Sequence, residues 1–225
     1  MSSPAGARAL GPTGVSLAKY LEKRGAVRLK ARVHPSFPAK SVPELIAYAR
    51  SNPGKINMSS AGIGSSHHMY GELFKMAAGI DMLHVPYRGS GPAMTDLLAG
   101  QVHLTFEPVG TSIEHIRAGK LRALAVTTAT RTGLLPDVPA MGEFVLGYEA
   151  TAWQGIVAPK DTPVEIIDKL NKEINAGLAD PRLKARITDT GYTVFASSPD
   201  NFGKLIADDT EKWAKVIRAA NIRVE

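Results

Sequence analysis

The sequence predicts an α/β fold on a largely parallel sheet, followed by a helical tail. Three observations support this. Short apolar segments typical of strands alternate with amphipathic segments typical of helices. Residues 121–127 form a continuous apolar run, as in strands buried inside parallel sheets. Beyond residue 158 the apolar residues recur with helical periodicity.

A capping signal begins the first helix of this region. Ser41 and Glu44 have the spacing of a capping box, in which each side chain accepts a hydrogen bond from a backbone amide of the first turn. Apolar residues follow on one face, and the Asn-Pro-Gly at 52–54 ends the helix. Residues 56–60 are then predicted to form a short strand.

Two strand-to-helix turns rich in glycine come next. The segment SSAGIGSSHHMYGELFK, residues 59–75, leads from the first strand into a helix that Gly79 ends. Residues 82–87 are predicted to form a strand, and the turn at 88–91 leads into a helix at 92–99. In a parallel sheet both turns lie at the carboxyl edge of their strands.

The remaining elements follow from the same periodicities. They are a strand at 102–106, a helix at 111–118, the strand at 121–127, a strand at 150–158 that contains Trp153, a helix capped by Thr162 and a last helix opened by Ser198.

The net charge of +6 is concentrated at the start of the chain. Residues 1–32 hold seven basic residues against one acidic residue, whereas residues 33–225 hold twenty of each. A neutral body without aromatic residues interleaved with arginine or lysine offers no electrostatic footprint for a polyanion. The sequence therefore argues against nucleic-acid binding.

Composition excludes several further classes. The 225 residues, 44% of them apolar, can build a substantial core. Because the chain has no cysteine, disulfides, thiolate metal sites and cysteine nucleophiles are excluded. No apolar run approaches the roughly 20 residues of a membrane-spanning helix, and the first residues lack the pattern of a secretory signal.

The turn at 61–66 has the chemistry of an anion site. Unpaired N–H groups and the positive end of the helix dipole converge there, the glycines let the backbone approach a ligand, and the serine hydroxyls add donors. A purely structural interpretation, in which Ser65 or Ser66 is only an N-cap, stays open. The turn at 87–92 strengthens the anion interpretation, since both turns would face one crevice.

Dinucleotide, P-loop, nucleophile and metal sites fit these residues less well than a simple anion site does. A dinucleotide fingerprint would need glycine where His67 stands, and neither a P-loop nor a G-x-S-x-G motif is present. His67 and His68 are adjacent on a helix, so they point about 100° apart and cannot share one metal. The residues therefore predict binding without chemistry, with no metal and no cofactor.

Several blocks of sequence, taken in order, resemble one family. They are VHPSFPAKSVPELIAYARSNPGKIN, SSAGIGSSHHMYGELFK, HVPYRGSGPAMTDLLAGQVHLTF, IRAGKLRALAVTTATRTGLLPDVP and WQGIVAPKDTPVEIIDKLNKEI. From Val33 to the C-terminus the chain resembles the tripartite tricarboxylate transporter receptors, which are Bug-type periplasmic solute-binding proteins.

The resemblance implies a fold of the type II periplasmic-binding-protein kind, with two α/β domains that close over a ligand. Residues 33–157 would form one complete ligand-binding domain with a parallel or mixed sheet. Residues 158–225 would supply the helical C-terminal part of a second, incomplete domain, and residues 1–32 a basic leader that matches the family poorly. The strands near Val33 and at 153–157 would connect the two domains.

The resemblance also implies a set of ligand-binding residues. The turn at 60–68 would bind a carboxylate through backbone amides and hydroxyls, and the turns after residues 86 and 106 would line the same cleft. The implied residues are Ser60, Ala61, Gly62, Gly64, Ser65, Ser66, His68, Tyr87, Arg88, Gly89, Gly91 and Glu107.

The implied function is an extracytoplasmic receptor that binds a small carboxylate and delivers it to the membrane subunits of a transporter. The ligand would be a di- or tricarboxylate, an acidic amino acid or a nicotinate-like acid, and the location periplasmic, although no signal peptide is predicted. Two alternatives stay open, a serine-dependent α/β hydrolase using Ser65 or Ser66 with a histidine, and a protein-interaction module.

The chain departs from the family in two places. Family members have a further N-terminal segment with a Gly-Gly-x-x-Asp loop, and they commonly carry an acidic residue followed by asparagine where this chain has Glu107-Pro108. We therefore expect a truncated receptor whose ligand binding is impaired, because enclosure supplies many ligand contacts. We also expect the helical tail to expose apolar surface.

Overall fold

The computed structural model describes residues 29–108, 110, 112–131, 136–189 and 192–223. The described residues divide into two compact units. Those from 29 to 152 and from 216 to 223 belong to the larger unit, and those from 153 to 215 to the smaller unit. The predicted leader, residues 1–32, lies almost wholly outside the described residues.

The larger unit contains a five-stranded mixed sheet. Its strands are β1 Leu29–Val33, β2 Asn57–Ser60, β3 Leu83–Pro86, β4 Leu104–Pro108 and β5 Arg122–Val126. Their order in the sheet is β3-β2-β4-β1-β5. Strand β2 runs parallel to β3 and β4, whereas β1 runs antiparallel to β4 and β5. The predicted α/β fold is confirmed, and the sheet is mixed, because β1 lies between β4 and β5 and runs antiparallel to both.

Helices connect the strands of the larger unit. They are α1 Val42–Ser51, α2 Ser66–Ala78, α3 Ser90–Leu98 and α4 Ile113–Arg117, followed by a 3-10 turn at Met141–Glu143. The Ser41 hydroxyl accepts a hydrogen bond from Glu44 N at 3.3 Å, so Ser41 caps α1 as predicted. The Glu44 carboxylate accepts from Lys40 N at 2.8 Å, one residue before the Ser41 amide that a capping box would use. Gly79, at a φ of 61°, ends α2 as predicted.

The core of the larger unit packs α2 closely on the sheet. Phe74 of α2 and Phe106 of β4 are both fully buried, with ring centroids 5.9 Å apart. Gly71 permits this approach, because a Cβ there would lie 1.9 Å from the Met58 Sδ atom of β2. The close packing fixes the start of α2 against the ends of β2 and β4.

Two local predictions are wrong. The sequence predicts a strand at 150–158, but the structure has no strand there. It has only a single-residue β-bridge at residue 152. Ile156 and Val157 are more than half exposed, so apolar alternation alone does not supply a pairing partner. Thr162 does not cap the next helix, because its hydroxyl donates to Pro159 O at 2.8 Å and the N-cap is Pro163.

The smaller unit is helical, as the sequence predicts. It contains α5 Val164–Ala179, α6 Pro181–Asp189 and most of α7 Pro199–Ala219. The Trp153 ring packs edge-on against Phe202 with centroids 5.1 Å apart, and its indole N–H donates to Asp209. On α5, Ile167 is 1% exposed while Ile166 is 48% exposed. Within the described residues, no helix is long and apolar enough to cross a bilayer.

Candidate functional site

The two glycine-rich turns lie side by side at one edge of the sheet. Strands β2 and β3 are parallel and in register, with Ser60 opposite Pro86 at their carboxyl ends. Tyr87 N donates to Ser60 O at 3.0 Å. A Cβ on Gly62 would lie 3.5 Å from Tyr87 O, so the backbones of the two turns almost touch.

The first turn closes tightly onto the start of α2. Gly62 and Gly64 have φ angles of 131° and 75°, a region that favours glycine. The Ser65 hydroxyl donates to Gly62 O at 2.7 Å and accepts from His68 N at 3.4 Å. Ser65 is therefore the N-cap of α2, and its proton closes the turn.

Three amides of the first turn donate to the protein's own side chains. They are Ala61 N to His67 Nδ1 at 3.3 Å, Gly62 N to Ser60 Oγ at 3.1 Å and Gly64 N to His68 Nδ1 at 3.1 Å. These bonds hold the turn in shape, and a ligand could accept from the same amides only by competing with them.

Other donors of the first turn are open. The amides of Ile63 and Ser66 make no hydrogen bond within the part of the chain that the structure describes. Ile63 is exposed and Ser66 half-buried, and both lie at the N-terminal end of α2. Open amides at the positive end of a 13-residue helix attract an anion.

The second turn begins α3 with backbone donors. Gly89 is its N-cap, with a φ of 114° and no side-chain cap. The amides of Gly89, Ser90 and Gly91 make no hydrogen bond among the described residues. Arg88 is exposed beside them. The second turn can therefore offer both amides and a positive charge to an anion.

The Tyr87 hydroxyl forms a hydrogen bond with a residue of α3. Its hydroxyl donates to Asp96 Oδ2 at 2.7 Å. Burial and this hydrogen bond to Asp96 raise the pKa of Tyr87 to about 12, so the hydroxyl keeps its proton at neutral pH. The Tyr87 ring fixes the second turn to α3.

A buried charged cluster adjoins the first turn. Glu107, at the end of β4, is fully buried, and its Oε2 atom lies 3.7 Å from His67 Nε2. Arg32 of β1 is also fully buried and donates to the carbonyl oxygens of Glu107 and Pro108 at 3.1 and 2.9 Å. Burial lowers the pKa of Arg32 to about 9, although the Glu107 charge opposes that shift. Burial and the Arg32 charge lower the pKa of His67 to about 4.

A second cluster of side chains contains two stacked histidines. The rings of His68 and His84 lie 3.7 Å apart and 6° from parallel. His68 Nε2 lies 3.7 Å from Glu72 Oε1, which also pairs with Lys75 Nζ at 3.0 Å. Burial, followed by the charge of His68, lowers the pKa of His84 to about 4. His84 Nε2 lies 2.6 Å from Ser60 Oγ.

The structure brings most of the predicted site residues together. The first turn contributes residues 60–68 and the second residues 87–91, and the two turns meet at one sheet edge. Glu107 lies beside the first turn but has no accessible surface. Which of these residues contact a ligand stays a prediction.

Sequence reasoning missed four residues beside the turns, His67, Arg32, Glu72 and His84. A signal existed for Glu72, which is four residues after His68 and therefore on the same helix face. No local signal existed for Arg32, which contacts residues 75 and 76 positions away.

The serine that caps α2 and the histidine three residues later are both engaged with the backbone of the first turn. His68 Nδ1 is bonded to Gly64 N, and the Ser65 proton is directed to Gly62 O, so these two do not form a nucleophile–base pair. Among the described residues, no group of three histidine, aspartate or glutamate side chains could hold a metal ion.

Solved structures with the same fold define the class of protein. The chain is similar to R. palustris Rpa4515, solved with adipate, at 33% identity and a TM-score of 0.81, over 95% of this chain and 71% of that one. It is similar to the periplasmic binding protein BugD at 33% identity and a TM-score of 0.78, over 95% of this chain and 70% of that one. It is also similar to MatC (Rpa3494) from Rhodopseudomonas palustris, solved with bound malate, at 28% identity and a TM-score of 0.77, over 91% of this chain and 69% of that one. The fold is that of the periplasmic binding proteins.

Sequence comparison gives the family. Residues 20–222 match the family described as the tripartite tricarboxylate transporter family receptor, and the chain belongs to that family. It is 38% identical to the UPF0065 protein in the tcbD-tcbE intergenic region of Pseudomonas sp. strain P51, over 79% of this chain and 54% of that protein. It is 36% identical to protein BugT of Bordetella pertussis strain Tohama I, over 89% of this chain and 62% of that protein. The chain thus spans between about half and two thirds of the length of these curated relatives.

Proposed function

We propose that this chain binds a small carboxylate at the paired turns, without chemistry, as part of an extracytoplasmic receptor of a tripartite transporter. The observation that carries the proposal is the juxtaposition of two glycine-containing helix starts at one sheet edge, with open amides in both. A carboxylate satisfies such donors and gains from both helix dipoles.

The proposed ligand class is a di- or tricarboxylate, an acidic amino acid or a nicotinate-like acid. Two similar structures support an organic acid, since Rpa4515 was solved with adipate and MatC with malate. Backbone amides recognise a carboxylate but not the rest of the molecule. Membrane subunits of the transporter are the proposed protein partners, and the periplasm the proposed location.

The proposed contacts are shared between the turns. The open amides of Ile63 and Ser66 and those of Gly89 to Gly91 would donate to the carboxylate, and Arg88 would add charge. The other predicted residues of the first turn would shape it, because their polar atoms are used within the protein. Glu107 would act through His67, since it is fully buried.

Calorimetric titration with adipate, malate, glutamate and nicotinate tests the proposal. We expect at least one acid to bind with a one-to-one ratio, and Arg88→Gln to weaken it by roughly tenfold, the effect of losing one charge-assisted contact. The exposed Arg117, whose side chain pairs with Glu114 on α4, provides the control Arg117→Gln. If none of the four acids binds, or if both variants weaken binding equally, the proposal is wrong.

A further inference from the structure

Ile63 lies at the tip of the first turn. Ser65 N donates to Gly62 O at 3.2 Å, and Gly64 has a φ of 75°. This combination is typical of a type II turn in which Ile63 is the second residue and Gly64 the third. The Ile63 side chain is 46% exposed, so the turn presents an apolar surface to a ligand that approaches its amides.

Holding the turn does not require isoleucine at this position. The hydrogen bonds that close the turn come from the backbone and from Ser65, which is the N-cap of α2. An apolar residue that staples a helix start stands directly before the N-cap, and Gly64 occupies that place. The exposed Ile63 side chain is therefore available for contact with a ligand.

The Ile63 side chain lies beside an open donor. The amide of the same residue makes no hydrogen bond within the part of the chain that the structure describes. An acceptor at about 2.9 Å from that nitrogen lies within roughly 5 Å of the Ile63 Cβ, because the nitrogen and the Cβ share one Cα. A carboxylate held by this amide therefore brings its adjoining carbon atom close to the apolar side chain.

The polar atoms of the turn that adjoin Ile63 are used within the protein. Gly62 O accepts from Ser65 N and from the Ser65 hydroxyl, at 3.2 and 2.7 Å. The same hydroxyl accepts from His68 N at 3.4 Å. A hydroxyl group on the ligand carbon next to the carboxylate would lose water against Ile63 and gain no acceptor from Gly62 or Ser65.

We propose that Ile63 is a specificity-determining residue of the carboxylate site and selects acids whose carbon next to the bound carboxylate carries no polar group. The inference rests on the proposed function and narrows its ligand class. Contact between Ile63 and a methylene group removes apolar surface of both from water, whereas a hydroxyl in the same place loses hydration without replacement.

Calorimetric titration with adipate and 2,5-dihydroxyadipate tests the selection. The two acids differ only at the carbons next to their carboxylates, and both ends of each acid are alike, so the orientation of the bound ligand does not matter. We expect the wild type to bind adipate roughly fivefold tighter, the effect of one hydroxyl hydrogen bond that is lost to water and not replaced.

Two substitutions of similar size separate the polarity of the side chain from its volume. Ile63→Val and Ile63→Thr both keep a branched Cβ and differ from each other by a methyl group against a hydroxyl. Ile63→Val should keep most of the preference for adipate. Ile63→Thr should reduce the preference to about twofold or less, because its hydroxyl can pair with the hydroxyl of the ligand.

Leu83 provides the matched control. It is 55% exposed at the start of β3, at the opposite end of that strand from the second turn. Leu83→Thr should leave the affinity for both acids unchanged. All three variants should keep the unfolding temperature of the wild type, because each substitution is at an exposed position.

The outcomes separate this inference from the proposed function. Equal affinity of the wild type for adipate and 2,5-dihydroxyadipate, or an equal preference in Ile63→Val and Ile63→Thr, overturns the inference alone. The same holds if malate, glutamate or nicotinate binds and adipate does not. If none of these acids binds, the proposed function is wrong, and the inference falls with it.

Discussion

Histidine acts in this protein mainly as a hydrogen-bond acceptor for backbone amides. His67, His68 and His103 each accept through Nδ1, at 3.3, 3.1 and 2.9 Å. A histidine in this role must be neutral, since a protonated ring has no acceptor. These three rings therefore hold the backbone through a lone pair on Nδ1.

The stability of the fold should fall below neutral pH. His67 and His84 bind a proton only near pH 4 in the folded protein, against an ordinary pKa of 6.5. Between these values the unfolded chain holds more protons, so acid favours unfolding. We expect urea denaturation to show the free energy of unfolding falling by up to about 1.4 kcal/mol per pH unit for His67, with a smaller share from the half-buried His84.

His67→Asn provides the control for this pH dependence. Asparagine keeps an acceptor for Ala61 N but does not titrate, so the variant should lose part of the slope between pH 6.5 and pH 4. An equal slope in the variant and in the wild type would show that His67 is not responsible.

The buried Arg32 should be energetically coupled to Glu107. The Nε and Nη1 atoms of Arg32 are buried and make no hydrogen bond with described residues, so this charge depends on Glu107 for compensation. We expect Arg32→Met to lower the free energy of unfolding by about 3 kcal/mol, because it removes a buried positive charge that interacts with the buried Glu107 carboxylate.

A double-mutant cycle tests that coupling. Arg32→Met combined with Glu107→Gln should cost less than the sum of the two single changes, since each single change already removes the interaction between the two charges. Strict additivity in urea denaturation would contradict the pairing.

At the scale of single elements, the second turn allows a clean comparison of two glycines. A Cβ on Gly89 or on Gly91 would meet no atom within 4 Å, so only backbone conformation distinguishes them. Gly89 has a φ of 114°, whereas Gly91 lies in the first turn of α3. We expect Gly89→Ala to cost about 1–3 kcal/mol of stability and to weaken carboxylate binding.

Gly91→Ala is the control for the second turn. Alanine is favoured over glycine in helices by up to about 1 kcal/mol, so this variant should be neutral or slightly stabilising. Urea denaturation and calorimetric titration measure both variants. Equal effects of the two substitutions would mean that the left-handed backbone at Gly89 does not shape the turn.

The sequence was sufficient for elements defined by local signals and insufficient for contacts between distant residues. Capping residues and glycines predicted α1, the end of α2 and both turns. The reversal of β1 was not predicted, because strand direction depends on partners far along the chain. Residues 150–158 show the converse, since apolar alternation there does not lead to pairing.

The candidate site was predictable to a similar extent. Its glycines and serines identify the turns, because backbone geometry needs those residue types at fixed positions. The side chains beside the turns were not predictable, because their contacts form only when the sheet is assembled. Arg32 contacts the end of β4, and the His68 ring stacks on the His84 ring.

On the scale of the whole molecule, apolar residues of the smaller unit differ sharply in exposure. Ile167 is 1% exposed, whereas its neighbour Ile166 and Leu170 on the same helix are 48% and 43% exposed. We expect Ile167→Ala to cost about 2–4 kcal/mol. Ile166→Ala should cost less than about 0.5 kcal/mol, because it removes little buried surface.

The same exposed residues should affect self-association. Ile166→Lys with Leu170→Lys should lower light scattering at high concentration without lowering the unfolding temperature, because exposed apolar surface promotes association. Unchanged scattering, or a large loss of stability, would mean that these side chains are covered in solution.

The position of β1 has a consequence for the order of events during synthesis. Residues 29–33 pair with 104–108 on one side and 122–126 on the other, so the second side of this segment has no partner until residue 126 has left the ribosome. At typical translation speeds that interval lasts roughly 5–20 seconds. The nascent chain must therefore carry β1 as an unpaired strand throughout this interval, with its backbone hydrogen-bonding groups open to other strands long before the chain can recognise any ligand.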